Sequence, residues 1–326
     1  MKAVVFDQPG GEEVLKIGDV AEPAVGPKDL LIRVRYAGVN RADLMQRQGN
    51  YPPPPGASPV LGLECAGEVL AVGAQTSGWR VADRAMALLP GGGYAEQAVV
   101  DYRSAIHTPQ ALRDEEAAAF PEVFLTAFLN LFMLAEIKPG ETALIHGGGS
   151  GVGTAAIQLL ALAGARSIVT AGDRAKCDRC VQLGASLAID YKEGPFAPRV
   201  KEATRGRGVD VILDSIGAAY LAQNIEALGH GGRMVLIGLM QGARAEIDLA
   251  AVLRRHLRLI GSTLRSRSPE DKGRIVEAFL GRFGAELNAG RLKPPVHAVV
   301  SFADAARAHR IMRQSEHFGK IVLRID

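Results

Sequence analysis

From residue 142 to residue 263 the sequence alternates between short apolar segments and segments long enough to form a helix. Several apolar segments carry hydrophobic residues at consecutive positions, which is typical of parallel strands covered by helices on both faces. Six such strands predict a complete doubly wound nucleotide-binding sheet. They are expected at 142–146, 167–171, 186–190, 209–214, 233–238 and 257–263, with helices at 152–163, 173–183, 195–204 and 218–228.

A glycine-rich turn, GGGSGVGTAAIQLL at 147–160, follows the first of these strands and opens a helix. Glycine lets the backbone approach a pyrophosphate closely, and a helix N-terminus supplies free N–H donors and the positive end of a dipole. Ser150 stands where the middle glycine of a G-x-G-x-x-G pattern would be. Because the turn lies between a strand and a helix of a six-strand series, it predicts a dinucleotide-binding site.

The end of the second strand bears on which dinucleotide is bound. NAD-specific folds place an acidic side chain there to bind the ribose hydroxyls, whereas this strand ends Thr170-Ala171-Gly172. Because no acidic side chain ends this strand, there is room for the 2′-phosphate of NADPH. NADPH is therefore the expected cofactor, and NADH is the less preferred one. Asp173 is an unfavourable neighbour for a phosphate, which Arg174, Lys176 and Arg179 on the next helix can offset. Alternatively, these three basic residues form a solvated helix face.

The two ends of the chain have a different pattern. The first 120 residues read as short strands separated by Gly, Pro and Asp, with an extended loop at the four consecutive prolines of 52–55. The tail reads as a helix near 269–290, a strand near 296–300, a helix at 302–313 and a final strand in FGKIVLRI. A finished six-strand sheet has no place for this tail. We therefore expect residues 1–122 and 265–326 to form one domain and residues 123–264 the other.

The composition excludes several classes of protein. A net charge of +3 on 326 residues singles out neither nucleic acid nor a membrane surface as a partner. The longest apolar stretch, 120–137, carries Glu122, Asn130 and Glu136, so no membrane-spanning helix is expected. Three cysteines and no secretory signal pattern predict a cytoplasmic protein without a disulfide framework.

Several motifs together carry a family resemblance. They are NRADLMQRQG (40–49) followed by Tyr51 and PPPGAS, AMALLPGGG (85–93), LIHGGGSGVGTAAIQL (144–159) and LRSR (264–267). In these motifs, and from Met1 to the C-terminal GKIVL, the chain resembles the zinc-independent quinone oxidoreductases of the medium-chain dehydrogenase/reductase superfamily. The resemblance implies an α/β protein with a GroES-like β-rich domain plus a Rossmann domain, a doubly wound parallel six-stranded sheet, and NADPH in the cleft between them.

The resemblance also assigns residues to the cofactor by matching positions. Lys176 and Tyr191 match residues at the 2′-phosphate, and Asn40, Tyr51 and Thr126 match positions at the reacting face. The chain departs from its relatives at Asp173, where serine or threonine is usual. The full cofactor-binding set implied in this way is Thr126, Gly149, Ser150, Gly151, Val152, Gly153, Lys176, Tyr191, Gly238, Leu239, Met240 and Leu264.

The same comparison of positions argues against a metal. Related alcohol dehydrogenases bind a catalytic zinc through Cys and His, but those positions here hold Asn40 and, beside Glu64, Leu63. A quinone is already electrophilic and needs far less polarisation than an unactivated carbonyl. We therefore predict an NADPH-dependent quinone reductase without a metal, in which Tyr51 and Asn40 donate hydrogen bonds to the developing oxyanion.

Other interpretations stay open. Tyr51 can instead form an apolar wall, and Asn40 can instead form a turn. Asp43 and Glu64 are interpreted as structural hydrogen-bonding residues. No buried carboxylate is therefore expected to act as an acid or base. The alternative reactions are reduction of an enal, an enone or an enoyl thioester. A noncatalytic nucleotide-sensing or RNA-binding protein is the alternative of another class. A homodimer is expected, because the last two apolar strands leave a sheet edge that relatives cover with a second subunit.

Overall fold

The computed structural model describes residues 1–325, which divide into two compact units. The second unit comprises Thr126–Thr263, and the first comprises Met1–Leu125 together with the residues from Leu264 onward. Each unit has its own buried apolar cluster. No helix within residues 1–325 is long and apolar enough to cross a membrane.

The elements of both units are numbered along the chain. Within residues 1–325 the strands are β1 (Lys2–Val5), β2 (Lys16–Asp19), β3 (Asp29–Gly38), β4 (Glu64–Val72), β5 (Arg84–Leu88), β6 (Gln97–Asp101), β7 (Ala105–His107), β8 (Thr142–His146), β9 (Arg166–Ala171), β10 (Leu187–Asp190), β11 (Val209–Asp214), β12 (Leu228–Leu236), β13 (Arg258–Gly261), β14 (Val296–Ser301) and β15 (Lys320–Arg324). The helices are α1 (Arg41–Arg47), α2 (Asp114–Ala118), α3 (Pro121–Phe128), α4 (Gly151–Leu162), α5 (Arg174–Gln182), α6 (Phe196–Ala203), α7 (Leu221–Ala227), α8 (Leu249–Arg255), α9 (Pro269–Asn288) and α10 (Ala305–Gln314).

The first unit is built on a mixed sheet with the strand order β14-β15-β3-β4-β5-β7, in which β6 also pairs with β3. Strand β3 shows the alternation that a half-buried strand requires, since Leu30, Ile32 and Val34 are buried and the residues between them are more exposed. The C-terminal strand β15 pairs antiparallel with β3, so that Leu323 lies opposite Ala37. The last strand of the chain therefore belongs to the same sheet as the N-terminal strands.

Three short helices that the sequence pattern did not predict interrupt the β-rich N-terminal region. Helix α1 begins after Asn40, whose backbone N–H donates to the Asp43 carboxylate at 2.8 Å. This satisfies one of the donors left free at a helix start. Helices α2 and α3 follow one another in the chain, and the last turn of α3 belongs to the second unit. Short helices of this kind depend on tertiary packing, so an apolar pattern alone does not reveal them.

The second unit confirms the predicted sheet. Its six strands are all parallel and run in the order β10-β9-β8-β11-β12-β13. The strand order reverses between β8 and β11, which is the point where dinucleotides bind in sheets of this kind. The core beneath is formed by Leu144, Ile168, Ile212 and Met234.

The predicted ends of some elements were wrong. Strand β12 begins at Leu228, five residues before the expected start, because the glycines of LGHGGRMVL conceal a strand pattern. Strand β13 is shorter than expected. Helix α8 was not predicted from the sequence pattern. Its start is capped by Asp248, and Arg255 donates to the carbonyl oxygens of Ile225 and Leu228 at 2.6 and 2.9 Å.

Candidate active site

The glycine-rich turn connects β8 to α4. Ser150 caps the helix, and its Oγ accepts a hydrogen bond from the Gly153 N–H at 3.0 Å. A Cβ on Gly153 would lie 2.3 Å from the Gly147 carbonyl oxygen, so only glycine allows the helix to start this close to the turn. The N–H groups of Gly151 and Val152 lie in the first helical turn, where no intrahelical partner exists. Together these features form a site suited to a phosphate.

A chain of buried hydrogen bonds stabilises the position of this turn. The Asn224 amide donates to Asp214 at 3.1 Å, so its oxygen must accept from His146 Nε2 at 2.7 Å. That arrangement leaves His146 Nδ1 to accept from the Thr170 hydroxyl at 3.0 Å. Burial lowers the pKa of His146 to about 4, so the ring is neutral at pH 7. The Thr170 carbonyl in turn accepts from the Gly148 N–H at 2.8 Å, which fixes the turn against β9.

The residues predicted for the 2′-phosphate meet at the end of β9. A Cβ on Gly172 would lie 2.9 Å from the Tyr191 hydroxyl, which places that ring directly against the strand end. Asp173 caps α5 by accepting from the Lys176 backbone N–H at 2.8 Å. The Lys176 ammonium lies 3.7 Å from the Asp173 carboxylate. The corner therefore contains one cation, one anion and the tyrosine hydroxyl.

The loop after β12 completes this edge of the sheet. The Met240 N–H donates to the Ser215 carbonyl at 3.2 Å, which joins it to the loop after β11. Leu239 and Met240 are both more than half exposed, at 55% and 53%. Because parallel strands point the same way, this loop, the glycine-rich turn and the Lys176 corner all lie at the carboxyl edge. The second unit starts at Thr126, whereas Leu264 is buried in the first unit.

In the first unit, Lys320 and Glu64 form a buried ion pair. The Lys320 ammonium is 2% exposed and lies 2.7 Å from Glu64 Oε1, 2.6 Å from Asn40 Oδ1 and 2.7 Å from the Val39 carbonyl oxygen. These three acceptors use all of its protons. The Asn40 amide nitrogen donates to Glu64 Oε1 at 3.0 Å, so both ends of that amide have partners. The side chain of Asn40 is thus held within the cluster.

Asp43 is a second buried carboxyl beside this ion pair. It accepts hydrogen bonds from the backbone N–H groups of Asn40 and Gly62 and from the Tyr94 hydroxyl, at 2.8, 3.1 and 3.1 Å. Burial raises its pKa to about 6, although these hydrogen bonds act in the opposite direction. The geometry agrees with the interpretation of Asp43 as a structural hydrogen-bonding residue.

The same cluster tests whether a catalytic zinc fits. The resemblance implies that the zinc-ligand positions of related enzymes fall at Asn40 and Leu63, and here the Lys320 ammonium is bonded to Asn40 and Glu64. Within residues 1–325 no group of three or more His, Cys, Asp or Glu side chains is arranged to hold a metal ion. Asn40 and Leu63 do not supply the nitrogen and sulfur ligands that zinc prefers. These residues therefore do not fit a catalytic zinc.

Tyr51 lies beside a set of charged residues in the first unit. The Arg265 guanidinium is 5.2 Å from the centre of the Tyr51 ring and donates to the Gln46 side chain at 2.6 Å and to the Pro90 carbonyl at 2.8 Å. Burial raises the pKa of Tyr51, and the charge of Glu122 raises it further. Among residues 1–325 we find no hydrogen-bond partner for the Tyr51 hydroxyl. It is therefore a protonated donor that can bind a ligand.

Two residues of this set, Arg265 and Glu122, were not predicted as site residues from the sequence. Arg265 lies within the LRSR motif, which contributes to the family resemblance but does not by itself indicate a site residue. Glu122 is the single charged residue in the apolar stretch 117–129. A lone charge in an apolar segment is the sequence signal that could have identified it as a site residue.

Two family models match the chain. The model described as "Alcohol dehydrogenase GroES-like domain" matches residues 26–110, and the one described as "Zinc-binding dehydrogenase" matches residues 151–279. The first range covers β3 to β7 of the mixed sheet, and the second runs from α4 through β13 of the parallel sheet into α9. A GroES-like β unit and a parallel nucleotide-binding sheet define the class of two-domain dehydrogenases and reductases.

Similar proteins narrow this class. Rat quinone oxidoreductase is 30% identical over 99% of this chain and 97% of its own length. The chain is also 33% identical, over 97% of its length, to a mycocerosic acid synthase-like polyketide synthase of Mycobacterium tuberculosis, but it spans only 15% of that relative. The chain belongs to the quinone oxidoreductase family of the medium-chain dehydrogenase/reductase superfamily.

Solved structures agree with this assignment. The Escherichia coli quinone oxidoreductase in complex with NADPH is 28% identical, with a TM-score of 0.88 over 100% of both chains. A structure described as an NAD-dependent alcohol dehydrogenase is 32% identical, with a TM-score of 0.87 over 100% of both chains. The fold is therefore shared by proteins that use either dinucleotide.

The buried ion pair leads to a prediction about stability. Lys320→Met leaves Glu64 without its cation, and we expect the free energy of unfolding to fall by about 3–5 kcal/mol. Urea denaturation measures the change. Lys2→Met is the control, because Lys2 pairs with the exposed Asp19 and should cost less than about 1 kcal/mol. Equal losses in the two variants would contradict the importance given to the Lys320 pair.

Proposed function

We propose that the protein is an NADPH-dependent reductase that transfers hydride to quinones. The observation that carries the proposal is the glycine-rich turn at the point where the strand order of the second unit reverses, with helix N–H groups free to bind a pyrophosphate. The full-length similarity to rat and E. coli quinone oxidoreductases supports the acceptor class. When bound, NADPH supplies a hydride from C4 of its nicotinamide.

The cofactor residues proposed here follow the carboxyl edge of the parallel sheet. Lys176 and Tyr191 would hold the 2′-phosphate, which needs a cation and a hydroxyl donor. The remaining contacts would come from the pyrophosphate turn Gly149, Ser150, Gly151, Val152 and Gly153, and, toward the nicotinamide, from Thr126, Gly238, Leu239, Met240 and Leu264.

The first unit would bind the acceptor at Tyr51. Its free hydroxyl, kept protonated by burial, can donate to the oxygen on which negative charge develops. Asn40 was the other predicted donor. Because both ends of its amide already have partners, its proposed role is to hold the Lys320–Glu64 pair in place. The residues of this unit therefore supply a hydrogen bond and a fixed electrostatic environment, without a metal.

A second candidate reaction is reduction of an activated carbon–carbon double bond in an enal, an enone or an enoyl thioester. The similarity to a polyketide synthase, at 33% identity over nearly the whole chain, favours it. The two reactions share the cofactor and the need for an oxyanion donor. A noncatalytic nucleotide-binding protein is the third candidate, and binding without turnover would identify it.

The proposed partner is a small acceptor molecule, with neither nucleic acid nor a membrane. A cytoplasmic location is proposed with it, since all three cysteines are free and buried. Fractionation of cells that express the full chain tests the location.

The function is tested by the loss of NADPH absorbance with an ortho-quinone, a para-quinone and an enal in parallel. We expect the fastest turnover with a quinone. Tyr51→Phe should lower kcat by about 10²-fold, because it removes one oxyanion donor, and should leave the Kd for NADPH unchanged. Tyr36→Phe, a half-buried tyrosine of β3, is the matched control. Wild-type kcat in Tyr51→Phe would rule out the donor role.

Cofactor choice gives a separate prediction. Lys176→Ala should weaken NADPH binding by about tenfold and leave NADH binding nearly unchanged, because only NADPH carries the 2′-phosphate. Asp173→Asn should strengthen NADPH binding by removing a negative charge beside the phosphate. Fluorescence titration of the wild type and of each variant with NADPH and NADH measures the affinities. Arg174→Ala is the control, since Arg174 is exposed and paired with Asp178. Equal losses for NADPH and NADH in Lys176→Ala would refute the assignment.

A homodimer is proposed from the edge of the parallel sheet. Strand β13 has no partner on its outer side within residues 1–325, and the apolar side chains of Leu249, Leu253 and Leu259 are 70%, 76% and 40% exposed nearby in sequence. A second copy of the chain would cover them. We expect light scattering to give the mass of a dimer, and Leu253→Asp to give that of a monomer. A monomeric wild-type protein would exclude the dimer.

A further inference from the structure

The first turn of α3 contains a carboxyl group to which the reaction outlined above gives no role. Glu122 is half-buried, but its Oε2 atom is enclosed and has no hydrogen-bond partner among residues 1–325. An enclosed carboxylate oxygen without a donor is costly, whereas a protonated carboxyl carries no charge to desolvate. The surroundings of Glu122 therefore favour its neutral, proton-carrying form.

Burial and the neighbouring charges, taken together, also favour the neutral form of Glu122. Burial raises the pKa of Glu122 to about 8, and the negative charges of Glu64 and Asp43 add to the rise. Lys320 and Lys272 oppose it, but their ammonium groups are bonded elsewhere. Lys320 lies 2.7 Å from Glu64, and Lys272 donates to a backbone carbonyl at 2.9 Å. The Glu122 backbone N–H is also taken, since it donates to Glu64 at 2.9 Å.

Glu122 shares its surroundings with the proposed oxyanion donor. It lies close enough to Tyr51 and Arg265 for its charge to affect the pKa of both. The Arg265 guanidinium, held by Gln46 and Pro90, lies over the Tyr51 ring. Arg265 therefore contacts Tyr51 directly, and the Glu122 carboxyl lies within electrostatic range of both.

We propose that Glu122 is the proton donor that completes reduction of the acceptor, an inference that rests on the proposed function. Reduction of a quinone consumes one hydride and one proton, and it yields a hydroquinone and NADP⁺. Hydride addition leaves an oxyanion, to which Tyr51 donates a hydrogen bond. The O–H bond of Glu122 then breaks as a new O–H bond forms on the acceptor, and the carboxylate takes up one H⁺ from the bulk solvent, which is the proton that the overall reaction consumes. An enone needs the same proton on its enolate.

The test is Glu122→Gln, which keeps the size of the side chain but has no acidic proton. We expect kcat to fall by about 10²-fold, with an unchanged Kd for NADPH. The wild-type kcat should be constant below about pH 8 and should fall as pH rises above it, since only the protonated form donates. The variant should lose this pH dependence. Glu116→Gln, a buried carboxyl paired with Arg113, is the matched control and should keep the wild-type profile.

Thermal unfolding provides a readout that does not depend on turnover. A carboxyl whose pKa is raised in the folded state stabilises the protein at low pH, and that stability is lost as pH rises toward the folded pKa. Glu122→Gln should therefore match the wild-type Tm near pH 5 and exceed it near pH 9. Glu122→Asp keeps an acidic proton on a shorter side chain and should retain a falling kcat at high pH.

The outcomes separate the two proposals. Failure of the wild-type protein to reduce any acceptor would overturn the proposed function, and this inference with it. A wild-type enzyme that reduces quinones while Glu122→Gln keeps its kcat and pH profile would overturn the inference alone. Equal Tm values for wild type and Glu122→Gln at every pH would also overturn it, because the carboxyl would then not be held neutral.

Discussion

The buried ion pair between Lys320 and Glu64 is the interaction on which the first unit's site depends. Lys320 begins the C-terminal strand and Glu64 begins β4, and the two strands flank β3 in the sheet. An ion pair in an apolar interior is stable only when its remaining bonding capacity is satisfied. Here Asn40, Val39 and the backbone of Glu122 supply those bonds. The start of α1, the start of α3 and the strand β15 are thus fixed by one charge pair.

This ion pair also shapes the chemistry around it. Asp43 and Glu122 lie beside the ion pair in a region where water cannot stabilise further negative charge. Burial raises the pKa of each. Asp43 is held by three donors, whereas Glu122 has an oxygen with none. Two carboxyls with raised pKa values therefore have different capacities: one holds structure, and the other has a proton to give. Hydrogen bonding, more than burial, distinguishes them.

In the second unit, strand direction and not an ion pair brings the residues of the site together. Its strands are parallel, so the segments that follow β8, β9, β10 and β12 all emerge at one edge of the sheet. Residues as far apart in sequence as Ser150 and Met240 are brought to this edge by strand direction alone. The buried chain from Asp214 through Asn224 and His146 to Thr170 then fixes the ends of the central strands. A neutral histidine serves this purpose because it can donate and accept at once.

The sequence by itself determined the parallel sheet, the glycine-rich turn and the family, because long apolar strands and glycines with a backbone role leave a local signal. It also indicated the corner at Lys176, since strand ends can be read from periodicity. Only the tertiary structure decided how the side chains share hydrogen bonds: that Asn40 is held at both ends, that Arg265 lies over Tyr51, and that Glu122 has an enclosed oxygen without a donor. Burial and hydrogen-bond partners arise from residues distant in sequence, so a local pattern shows that a charge is present but not what surrounds it.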